Sequence, residues 1–71
     1  MEKLTKLIAL KTVEEINKNK LDDEQAHSDE DSLYAWFIDC IAANMYTKKE
    51  AQEIAEIVRM TSEISFARWC A

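Results

Sequence analysis

A chain of 71 residues makes one small domain, and with no glycine and no proline it lacks the residues that hairpin turns and phosphate loops need most. What remains is helices joined by short polar turns. The net charge of −5 is segregated: lysines dominate residues 1–20, residues 21–46 hold acids but no lysine or arginine, and residues 47–71 are balanced, which suits a complementary protein surface or a second copy better than a nucleic-acid backbone.

No apolar N-terminal run is long enough for a secretory leader or a membrane span. The expected location is therefore the cytoplasm, with Cys40 and Cys70 as reduced thiols and a Cys40–Cys70 disulfide as the alternative.

The first predicted helix runs from about Glu2 to Lys18, rich in good helix formers such as Leu4, Lys6, Leu7, Ala9 and Leu10. Met1, Leu4 and Ile8 cluster on one side of it, and Ala9, Val13 and Ile16 fall roughly opposite. A helix apolar on several sides is buried on more than one, either between two other helices or against a second subunit. The periodicity then breaks. Asn17 and Asn19 suit a helix end, and the acids from Asp22 to Asp31 repel one another, so residues 19–31 read as an acidic loop with Leu21 as its anchor.

The second predicted helix, "SLYAWFIDCIAANMY", is capped by Asp29, Asp31 or Ser32. Leu33, Trp36, Phe37, Cys40, Ile41, Asn44 and Met45 recur at helical spacing, and Tyr34, Ile38 and Ala42 widen that face, which places this helix at the centre of the core. "TKKE", Thr47 to Glu50, is a capping box that starts the third helix directly after a tight turn at Tyr46 and Thr47. The pattern carries the third helix continuously from Lys48 to about Arg68, with Arg59 and Glu63 spaced for an ion pair.

The stretch "EIAEIVRMTSEISFARW" (residues 53–69) resembles the core of a helix-turn-helix DNA reader. The resemblance implies a turn four residues after Ala55, where a glycine is usual, and Arg59 stands there instead. The apolar register beyond the turn is displaced by one, to Ile64 and Ala67, and a continuous helix accounts for the stretch better.

Three features remain to be assigned. Asp22, Asp23, Glu24, Asp29, Glu30 and Asp31 form either a solvated loop or an acidic surface that imitates nucleic-acid phosphate. With His27 alone and no glycine, they make a poor metal site. Cys40 falls on the core face and Cys70 has no histidine near it in sequence, so neither reads as a nucleophile. The apolar tail "SFARWCA" must be covered by its own domain, a second copy or a target.

The expected fold is therefore all-α, a hairpin of helices two and three packed on helix one, with two copies expected to form a homodimeric bundle. The expected function is that of a non-enzymatic binder or inhibitor of a larger protein, one that processes nucleic acid or serves host defence. Its compact, acidic composition is of the kind found among small regulatory proteins of bacteria and their phages. The alternatives are a DNA-binding regulator using residues 53–69 and a structural or assembly subunit. No catalytic residue, cofactor, metal or membrane contact is expected. The acids from Asp22 to Asp31 are candidates for the partner, and Leu4, Ile8, Val13, Tyr34, Phe66, Arg68 and Trp69 for an apolar partner or dimer interface.

Overall fold

A computed structural model describes residues 2–68. It is all-α: helices α1 (Lys6–Lys18), α2 (Asp23–Ala42) and α3 (Lys48–Val58), followed by a short 3-10 helix over Arg59–Glu63. Helix α1 packs against both α2 and α3, and α3 also meets α2. The largest fully buried side chains, Leu4, Ile16, Leu33, Cys40, Ile54 and Thr61, come from every part of this arrangement. Among the described residues, no helix is long and apolar enough to cross a membrane.

The first helix starts at Lys6, later than its composition suggested. Thr5 is the cap, accepting from the Ile8 amide at 3.3 Å. The residues before it lie outside any helix, and their polar groups are tied to α2 and to the turn beyond it. Trp36 donates to the Glu2 carbonyl (2.7 Å), Tyr46 donates its hydroxyl to the Leu4 carbonyl (2.6 Å), and the Leu4 amide donates to Cys40 Sγ (3.4 Å). Burial pushes the Tyr46 phenol well above its ordinary range, with Cys40 adding to the shift, so it stays a donor. Only one side of α1 is buried, at Ala9, Val13 and Ile16; Leu7 and Leu10 face outward. The lysines of the N-terminal region are partly spent within the chain, since Lys3 pairs with Glu50 and Lys6 with Glu53, each at 3.1 Å, fastening it to α3.

The acidic loop expected over residues 19–31 is mostly helix instead: α2 reaches back to Asp23, leaving a short turn. Leu21 does not anchor this turn, being almost wholly exposed. The helix survives its own acids because they are placed and paired. Asp22 caps it by accepting from the Gln25 amide (3.2 Å), and Asp23 and Glu24 lie in the first turn, at the positive end of the dipole. Gln25 donates to Asp29 (2.8 Å), and His27 lies 3.5 Å from Asp31. Ala26, Glu30, Leu33, Phe37 and Cys40 form the buried stripe.

Helix α2 ends in a two-bond left-handed cap. Asn44 takes φ 56°, the Met45 amide donates to Cys40 O (3.1 Å), and the Asn44 amide donates to Ile41 O (2.9 Å). The capping box then forms as the spacing requires: the Glu50 amide donates to Thr47 Oγ1 (3.1 Å) and the Thr47 amide to Glu50 Oε1 (3.2 Å).

The third helix is not continuous to Arg68. It tightens into the 3-10 turn at Arg59, which ends at an extended Ile64, and the described chain beyond is not helical. Thr61 is fully buried there and its hydroxyl donates to Val58 O (3.2 Å), while Arg68 uses the Thr61 and Ile64 carbonyls. The expected Arg59–Glu63 pair does not form, because Arg59 turns back to Glu56 (3.2 Å).

Candidate functional site

The six acids from Asp22 to Asp31 do not form one free cluster. Asp22 is a cap, Asp29 accepts from Gln25, and Asp23 accepts from the Ala67 amide (3.2 Å). Glu30 is buried, and Arg68 donates to it from Nε (2.9 Å) and Nη2 (3.1 Å). Glu24 and Asp31 remain outward. Residues 64–68 thus form a strap across the N-terminal half of α2. The Arg68 guanidinium also donates to the carbonyls of Thr61 (2.8 Å), Ile64 (3.1 Å) and Phe66 (3.2 Å) and stacks 3.8 Å from the Phe66 ring centroid.

Of the residues expected at an apolar interface, Leu4 and Val13 lie in the domain's own core, and Ile8 and Phe66 are half-buried against it. Arg68 is consumed by the strap. Tyr34 is the one that stays open to solvent, and Trp69 lies outside the described residues. Residues 59–68, within the 53–69 span of the helix-turn-helix resemblance, hold a 3-10 turn and a non-helical strap, with no second helix.

What the structure does bring together is a second seam along α2. Glu24, Asp31 and Ile38 recur every seven residues, and Tyr34 and Ile41 follow three residues after Asp31 and Ile38; His27, at the matching position after Glu24, is mostly buried. This is the a/d geometry of a helix that meets another helix. Its C-terminal half is apolar and open, with Tyr34 39%, Ile38 58% and Ile41 44% exposed. Its N-terminal half carries Glu24 and Asp31, and α2 has no lysine or arginine. Beside it, Glu30, Asp31, Tyr34, Ser62 and Arg68 line an open cleft of about 450 Å³. The buried stripe could have been followed back from Leu33 through Glu30 to Ala26 by helical spacing alone; nothing local in the sequence marks Arg68 as the partner of Glu30.

Among the described residues, no three histidine, cysteine or acidic side chains come together as a metal site. Comparison with protein-family models, curated proteins and solved structures finds no match.

Proposed function

We propose that this chain is a non-enzymatic protein-binding protein that acts stoichiometrically, with the outer seam of α2 as its contact surface. The observation behind this reading is the exposed row Tyr34, Ile38 and Ile41 running into the acids Asp31 and Glu24 on a helix without lysine or arginine. Open apolar rows rimmed by charge are a mark of interaction surfaces, and the seven-residue spacing suits a partner helix or groove. The complement is a surface apolar at one end and basic at the other. Protein surfaces that receive nucleic acid have this character, so occupying one would inhibit the larger protein.

Affinity capture from the source cell tests this reading. Ile38→Lys with Ile41→Lys should abolish recovery of the partner that the wild-type chain recovers, and Glu24→Gln with Asp31→Gln should weaken it and reduce its salt sensitivity. Recovery that is unchanged by both pairs would refute the assignment of this surface. All four side chains are exposed, so the fold tolerates the changes.

A further inference from the structure

Outside the α2 seam, α1 presents a surface of mixed charge and apolar character. Between α1 and the 3-10 helix runs a groove of about 360 Å³, lined by Leu10, Val13, Met60 and Ile64 and rimmed by Glu14 and Glu63. Leu7, 63% exposed, projects one turn before it on the same helix. Lys11, Glu14 and Glu63 have no ion-pair partner among the described residues.

We infer that two copies of this chain associate about a twofold axis through the outer side of α1, each placing Leu7 in the other's groove. A twofold contact must be self-complementary: whatever one copy offers, it must also receive. This surface meets that condition, because it carries a knob (Leu7) and a hole (the groove), and a free cation (Lys11) and free anions (Glu14, Glu63).

The register follows from the helix repeat. If antiparallel α1 helices set Leu7 level with the partner's Glu14, at the middle of the groove wall, then position 10 faces position 11 across the axis. The Lys11 stem then covers the partner's Leu10, and its ammonium lies about one helical turn from the partner's Glu14, within a lysine's reach. The contact supplies apolar burial to a domain small enough to need it.

Sedimentation equilibrium across a wide concentration range tests the inference. Wild-type protein should approach twice the 8.2 kDa chain mass as concentration rises. Leu7→Glu should remain at the single-chain mass throughout. At low salt, Lys11→Glu and Glu14→Lys should each weaken association several-fold, and the double exchange should recover it. These positions are exposed, so circular dichroism should match wild type in every variant. A single-chain mass for wild type at every concentration overturns the inference. So does a dimer that Leu7→Glu leaves intact or that the double charge exchange fails to restore.

Discussion

Arg68 closes a two-pronged ion pair on Glu30, with Nε at 2.9 Å from Oε1 and Nη2 at 3.1 Å from Oε2. Neither residue makes sense alone. Glu30 sits on the buried stripe of α2 between Ala26 and Leu33, and a lone carboxylate there would carry the full cost of leaving water. Arg68 supplies the counter-charge and gathers the carbonyls of Thr61, Ile64 and Phe66 around the same guanidinium. The pair joins the last described stretch of chain to the half of α2 with the most acids.

Removing either partner should therefore loosen both segments together. Arg68→Gln and Glu30→Gln should each cost roughly 2 kcal/mol, the scale of a charged hydrogen bond with one buried partner stranded. The double variant should cost less than the two single losses added. Denaturant melts give the energies, and amide exchange should show Asp23 to Glu30 losing protection ahead of α1 and α3.

The same pair sets an acid limit on stability. Burial raises the Glu30 carboxyl, but the hydrogen bonds and charge of Arg68, with smaller contributions from the neighbouring Thr61 and His27, outweigh it, holding the group below its ordinary value. A folded-state value below the unfolded one means this contribution is complete above the ordinary carboxylate range. It is lost as pH falls through the lowered value. Wild-type stability should fall on that acid limb, and Glu30→Gln should flatten the fall. An equally steep acid limb in Glu30→Gln would show that other carboxylates set it.

The connection between α2 and α3 combines one strained residue with one optimised cap. Asn44 holds the left-handed conformation that glycine takes without strain, so Asn44→Gly should stabilise by up to about 1 kcal/mol, and Asn44→Val should destabilise. Thr47→Ala removes the acceptor of the capping box and should cost about 1 kcal/mol. Thermal melts of the three variants check the order: Asn44→Gly above wild type, the other two below.

The readable parts of this fold were those governed by neighbours in sequence. The Thr47–Glu50 box, the apolar run from Leu33 to Cys40 and the all-α class follow from spacing and from the missing glycine and proline. The departures have long-range causes. Asp22 to Asp31 look like a loop when only their repulsion is counted, yet they are helical because Asp22 caps, Gln25 and His27 pair within the helix, and Arg68 arrives from 38 residues away. Thr61 and Ile64 fit a helical pattern but give their carbonyls to Arg68, and the chain beyond Glu63 is not helical. The same holds for the residues expected at an apolar interface. Tyr34 is exposed, whereas Leu4 and Val13 became core only when the N-terminal segment and α1 closed over α2 and α3.

The central claim, that α2 meets a protein partner along its outer seam, is tested most directly by site-specific photo-cross-linking in the source cell. A photoreactive side chain at Ile38 should give one discrete adduct of this chain with a larger protein, and the same group at exposed Gln52 on α3 should not. No adduct from Ile38, or equal adducts from both positions, would contradict the account.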